Sequence, residues 1–257
     1  MEEIGVRARF PFLHRAARAG LLVALLAAWQ LAAIGGLPSY LLSPAQIARE
    51  FFTALGSQEL YVHAGASLLR SLPGFLIGSA LGIAFGLAAG VSRRFEETFS
   101  PAIFLTYPVP KIVMLPLFML WFGIGDLSKI LIIALACFYP TFINAFYGAR
   151  ATRTILVWSA LNMGAGRWRI FRRIVVPSAL PQIFAGLRVS LALSFIVMFA
   201  TEMINSRSGL GHLIQAAESS LRFDLMYVSL VTIAILGYAG DYLLRTARGR
   251  VLRWQES

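Results

Sequence analysis

Few residues of this chain are equipped for chemistry, and their spacing excludes more than it offers. The only lysines, Lys111 and Lys129, do not follow a glycine, so there is no Gly-x-x-x-x-Gly-Lys-Ser/Thr loop to hold a nucleotide's phosphates. Gly209-Leu210-Gly211 has no strand–helix–strand context and reads as a loop turn. His14, His63 and His212 are scattered, and Cys137 stands alone in an apolar run, so neither a metal site nor a disulfide framework is expected. Lys111 is the more suggestive residue. It sits in an apolar run among Pro108, Pro110 and Pro116. Proline inside a spanning helix frees backbone carbonyls, which is tolerated where protein or a water-lined cavity satisfies them. A broken helix carrying a cation is the usual look of a translocation path. Pro110, Lys111 and Pro116, with Glu202 and Asn205 at the end of a later apolar run, are therefore the candidate path residues. Glu202 could also cap a helix or pair with a basic group near the outer boundary. Asp241 and Arg245, four apart, suit a structural helix pair. No catalytic residue and no metal ligand is expected.

The elements that must position these residues are set by solvent class. Of 257 residues 58% are hydrophobic and only 14% charged, where a soluble domain carries roughly a quarter. Runs of the length needed to span a bilayer occur at 19–36, 72–91, 101–122, 130–149, 183–205 and 225–244. The expectation is an all-α membrane protein with six transmembrane helices. A cytoplasmic segment, 1–18, precedes a single transmembrane domain, 19–257, whose core is 57–246. Sixteen of the 23 basic residues fall in the N-terminus, 92–100, 150–182 and the C-terminal tail. The positive-inside rule then places both termini inside, N-in and C-in. The net charge of +11 is thus a topology signal toward the lipid bilayer, and no nucleic-acid partner is expected.

Two further patterns carry information. Gly74, Gly78, Gly82, Gly86 and Gly90 recur every four residues and form one helix face without side chains, a packing seam for a neighbouring helix. Ser43-Pro44 reads as a helix start, and Ile47, Phe51, Phe52 and Leu55 share a face that suits either the outer membrane surface or the protein's own spans.

Between the fourth and fifth runs, 158–181 is too polar to span and too periodic for a loop. Two short helices around a turn at Gly164-Ala165-Gly166 fit it, with Ile170, Phe171, Ile174 and Val175 on an apolar side. Arg167, Arg169, Arg172 and Arg173 lie away from that side, and Pro177 and Pro181 are expected to stop the second helix. Such a rigid, basic, partly apolar knob at 150–182 suits docking to another protein.

This segment resembles the cytoplasmic coupling loop of ABC importer permeases, with the pattern Glu-Ala-Ala, three residues, Gly, nine residues, Ile, any, Leu, Pro. Trp158, Ser159 and Ala160 take the first three positions and Gly164 the glycine; Ala165 and Arg167 fall among the nine; Ile174, Val176 and Pro177 close the pattern. Trp158 stands where the family usually has glutamate. Pro110-Lys111, Leu115-Pro116-Leu117, Trp121 to Gly125, Gly186-Leu187-Arg188, and Glu202 with Ser208 to Gly211 resemble the nitrate/sulfonate/taurine branch. The resemblance implies the type I (MetI-like) ABC importer permease fold. It further implies a second permease copy, two cytoplasmic ABC ATPase subunits on the coupling loops, and an extracytoplasmic solute-binding protein. No cofactor would bind this chain; ATP and Mg would sit on the partner ATPase. The substrate implied is a small anion such as a sulfonate, taurine, nitrate or bicarbonate. A secondary transporter driven by an ion gradient is the alternative, and it would want inverted repeats and several buried acids.

Overall fold

The computed structural model describes residues 11–36, 38 and 40–255, and all regular structure among them is helical. The first ten residues of the expected cytoplasmic segment 1–18 lie outside this range. In chain order the helices are α1 (Pro11–Ile34), α2 (Pro44–Ala54), α3 (Gln58–Val91), α4 (Arg93–Thr106), α5 (Leu115–Phe122), α6 (Asp126–Arg150), α7 (Thr154–Asn162), α8 (Arg167–Ile170), α9 (Val176–Ile204), α10 (Leu210–Ser219) and α11 (Phe223–Val251). Four helical stretches are long and apolar enough to cross a membrane: α3, α6, the run Arg167–Ile204 and α11. The pair α4 and α5 brings the number to five if it counts as one span, and Gly20–Ile34 in α1 is a shorter apolar helix.

The scaffold is built on α3, α6 and α9. The glycine face of α3 lies directly against α6. A Cβ on Gly74 would come within 2.6 Å of Ile133, one on Gly82 within 2.6 Å of the Phe138 carbonyl oxygen, one on Gly86 within 2.5 Å of the Phe142 oxygen and one on Gly90 within 2.5 Å of Ala149; at Gly78 it would strike the Ala134 carbonyl. Without side chains on one helix the two backbones meet, and dispersion and weak polar contacts replace the hydrophobic drive that lipid abolishes. On the far face of α6, Gly186 of α9 approaches Asn144 and the Pro140 carbonyl in the same way.

Two expectations about helix boundaries are corrected. The third apolar run is broken, as its prolines imply, but the helix leading into it begins well before residue 101. Helix α4 starts at Arg93, capped by Ser92, and the chain turns by 91° between Thr106 and Lys111 before continuing through a short 3-10 turn into α5. Pro108 and Pro110 force the break, since neither supplies the N–H that would continue the helix; Tyr107 is still helical, and Pro110 itself is extended. Conversely, Pro177 and Pro181 do not stop a helix: the chain is helical from Arg167 to Ile204. A wide π turn at Phe171–Val175, closed by the Val176 N–H on the Phe171 carbonyl, lies just ahead of Pro177 and takes up the missing donor and the crowding of the proline ring.

Helix α2 begins with a capping box: the Gln46 N–H donates to Ser43 Oγ at 3.2 Å, and the Ser43 N–H donates to Gln46 Oε1 at 2.8 Å. The face expected on α2 divides: Ile47 and Phe51 pack on the protein, whereas Phe52 and Leu55 remain exposed. Ile47 is buried, and Phe51 joins an apolar cluster of Leu60, Leu210, Leu213 and Val228.

Candidate functional site

The bundle has two polar ends, and the predicted site residues divide between them and the α4–α5 break. At one end α6 finishes at Arg150, which pairs with Glu96 at 2.5 Å, and the chain enters α7. Helix α7 closes with a Schellman arrangement: the Gly164 N–H bonds the Leu161 carbonyl, and the Ala165 N–H bonds the Ala160 carbonyl, both at 2.9 Å. This turn needs Gly164 at φ +76°, where an L side chain is strained even though the space beside it is open. Ile170 and Val175 are buried against Leu87, Ala145, Ala149 and Ala179, while Val157, Ala160, Ala165, Ile174 and Val176 pack at the margin. The knob is therefore fixed to the C-terminal ends of α3 and α6. Its outward side is apolar: Trp158 is 61% exposed, Trp168 72% and Met163 84%, with Trp168 stacked on Phe171. Arg167, Arg169, Arg172 and Arg173 are exposed around it. Trp254, from the C-terminal tail, shares a cleft here with Arg173 and Pro177, which puts the C-terminus at the same end as the knob.

At the break, Lys111 is occupied. Its ammonium donates to the carbonyl oxygens of Thr106 (2.7 Å), Tyr107 (3.0 Å) and Val109 (2.7 Å), and lies 4.0 Å from the centre of the Tyr139 ring. All three ammonium hydrogens are thereby used. The Thr106 carbonyl also accepts from the Val109 N–H at 3.2 Å, in place of the N–H that Pro110, four residues on, does not have. Lys111 and Pro110 line a cavity of about 340 Å³, walled by Tyr107, Tyr139, Leu193 and Ile196. Pro116 lies in the first turn of α5, is exposed, and does not line this cavity.

Glu202 is elsewhere, at the opposite end of the bundle from the knob, and the structure does not bring it to Lys111. Its side chain is 0% exposed. It accepts hydrogen bonds from Ser67 Oγ at 2.8 and 3.0 Å, Arg70 Nη1 at 2.7 Å and the Gly211 N–H at 3.0 Å. Arg70 also reaches Asp126 at 2.6 Å, the Ser208 carbonyl at 2.7 Å and Ser208 Oγ at 2.9 Å. Lys129, itself buried, donates to Ser206 Oγ. Gly209 and Gly211 lack side chains because a Cβ on either would collide with Glu202. Removing one partner of such a buried pair costs about 3–5 kcal/mol, since the other charge is left unmatched out of water. Asn205 is exposed and ends α9 beside this cluster.

Sequence reasoning placed Arg70 and Lys129 among the outer joints and passed over Ser67 and Asp126. A signal was present: Arg70 is four residues before Gly74 and so continues the glycine face toward α6, while Glu202 at the end of an apolar run requires a cation. Asp241 does pair with Arg245, and it also accepts from Arg188 at 2.8 Å, tying α11 to α9.

Residues 66–252 match the family described as binding-protein-dependent transport system inner membrane component. The chain is 37% identical over 245 residues to the aliphatic sulfonates transport permease protein SsuC of Escherichia coli (strain K12), covering 95% of this chain and 93% of the relative. It is 34% identical over 242 residues to the taurine transport system permease protein TauC of the same organism, covering 91% and 88%. It is 36% identical over 238 residues to the riboflavin transport system permease protein RibX of Chloroflexus aurantiacus, covering 92% and 89%. In fold it is similar to a bacterial ABC transporter involved in the import of the acidic polysaccharide alginate, with a TM-score of 0.64 at 16% identity over 93% of this chain and 99% of that one. It is also similar to the inward-facing MetNI methionine ABC transporter, with a TM-score of 0.59 at 20% identity over 76% and 96%.

Proposed function

The chain belongs to the family of binding-protein-dependent transport system inner membrane components, and from that premise we propose that it moves a small sulfonate-type anion inward, driven at the knob around Gly164. It is the permease subunit of an ATP-driven importer; ATP is hydrolysed on a separate subunit, and a binding protein supplies the solute. This replaces the gradient-driven alternative.

The observation that carries the mechanism is the continuity of the chain from knob to membrane. Trp158, Met163 and Trp168 present an apolar face suited to a protein partner, and aromatic anchors of this kind dominate such contacts. The turn at Gly164 leads straight into the helical run Arg167–Ile204. A push on the knob therefore moves α9 as a rod, with no hinge loop to absorb it. In the full reading, α1, α3, the bent pair α4/α5, α6, α9 and α11 make six crossings with both termini inside. Two copies of the chain then engage two ATPases. The coupling set is Trp158, Ser159, Ala160, Gly164, Ala165, Arg167, Ile174, Val176 and Pro177.

The path runs by the α4–α5 break. Lys111 keeps that break open by satisfying its carbonyls, and its positive charge favours an anion passing Tyr107 and Tyr139. The aliphatic sulfonate and taurine relatives support that substrate class. The test is reconstitution of the chain with its ATPase and binding protein, followed by uptake of labelled taurine, methanesulfonate and riboflavin. Uptake of either sulfonate, lowered by Lys111→Ala more than expression is lowered, supports the reading. Uptake of riboflavin alone would move the substrate to the class of the RibX relative.

A further inference from the structure

We propose that Glu202 and Arg70 are positioning residues of the transport cycle, forming the joint through which movement of α9 reaches the outer loop and α10. This rests on the permease reading and adds where the far end of the rod is attached.

The Glu202 carboxylate sits in the last full turn of α9, and every hydrogen bond it accepts comes from another element. Ser67 and Arg70 belong to α3, and the Gly211 N–H belongs to the first turn of α10. One side chain thus ties the rod to both neighbours. Apolar contacts between helices can slide, whereas charged hydrogen bonds in a water-free site are directional and have no competitor. The loop is bound to the same point. Arg70 holds both the carbonyl and the hydroxyl of Ser208, Ser67 Oγ accepts from the Leu210 N–H at 2.8 Å, and the Gly209 N–H donates to His63 Nδ1 at 3.0 Å. The absence of side chains at Gly209 and Gly211 lets this loop wrap the carboxylate.

A joint must also be able to open, and Arg70 provides for that. Its guanidinium lies between two carboxylates, Glu202 at 0% exposure and Asp126 at 65%. When α9 moves, Arg70 can release Glu202 and remain paired with Asp126 near solvent, while Glu202 keeps Ser67 and the Gly211 N–H. Arg70 stays paired in both arrangements; Glu202, buried, keeps only neutral donors in the second, so that arrangement is the costlier one and the drive at the knob must supply the difference.

Arg207, exposed in the same loop, supplies a readout that needs no knowledge of the solute. Tryptic cleavage after Arg207, mapped by mass spectrometry, would be timed on the assembled complex in nanodiscs, without nucleotide and with ATP plus vanadate. In the wild type the nucleotide is expected to change the cleavage rate at least fivefold. In Glu202→Gln the rate is expected to be the same with and without nucleotide. A purely structural brace would raise cleavage in both states and keep the ratio, so a preserved ratio in Glu202→Gln, or no nucleotide effect in the wild type, overturns the joint. If Glu202→Gln does not assemble, Ser67→Ala decides: a ratio at least halved supports the proposal and an unchanged ratio overturns it. Failure of the wild-type chain to co-purify with any ATPase would instead bring down the permease reading itself.

Discussion

The two ends of α9 are built on opposite principles. At the Glu202 end Arg70, Glu202 and Ser208 are bonded to one another and Lys129 to Ser206. At the Gly164 end Trp158, Met163 and Trp168 are left uncovered, and the arginines around them remain exposed. The Glu202 end satisfies its buried polar groups within the chain. The Gly164 end has fixed its backbone and keeps its apolar area exposed.

This contrast can be broken from either side. The largest effect is expected from Glu202→Ala, which removes the shared acceptor of Ser67, Arg70 and the Gly211 N–H and leaves Arg70 only its partly exposed partner Asp126. We expect about 3–5 kcal/mol of lost stability, read as a lower midpoint of thermal unfolding in detergent. An unchanged midpoint would mean that the pair is not held out of water. Gly164→Arg should leave insertion and thermal stability near wild type and abolish both uptake and ATPase coupling, because the strained turn and the added bulk fall on the docking face. Normal coupling in that variant would remove the docking role. Trp168→Ala should weaken association with the ATPase subunit by roughly tenfold, measured by co-purification across a dilution series, with the joint at Glu202 unaffected. Ser208→Ala deletes one of the Arg70 hydrogen bonds and should cost about 1 kcal/mol, sharpening how much of the joint lies in the loop rather than in the ion pair. The smallest effect belongs to Leu221. It holds φ 57° at the end of α10, and Leu221→Gly should relieve strain without changing transport, raising the unfolding midpoint by a degree or two.

The knob was largely legible before any coordinates, because its information is local. The turn glycine, the apolar spacing of Ile170, Phe171, Ile174 and Val175, and the basic edge are all properties of neighbouring residues. The glycine seam was legible for the same reason, as a spacing of four on one helix. Local reading caught one of two proline effects: it expected the break among Pro108, Pro110 and Pro116, and it wrongly ended a helix at Pro177. The same residue breaks the chain at Pro108–Pro110 and is absorbed at Pro177, and the difference lies in whether the preceding turn can widen and in what fills the freed carbonyls. At the break that filler is Lys111, whose three bonds to carbonyl oxygens were invisible in a pattern that showed only a cation among prolines.

By itself the sequence determined the solvent, the helical class, the want of a phosphate-binding loop and the position of the exposed turn at Gly164. Each of these follows from composition or from residues a few positions apart. Only the tertiary structure decided that Arg70 of α3, Asp126 of α6 and Glu202 of α9 meet at one point. It also decided that the segment after Gly164 runs unbroken to that point. Charges separated by 56 and 132 positions have no periodicity in common. What brings them together is the packing of α3 against α6 along the glycine face, and a buried charge can persist only where that packing delivers its partner.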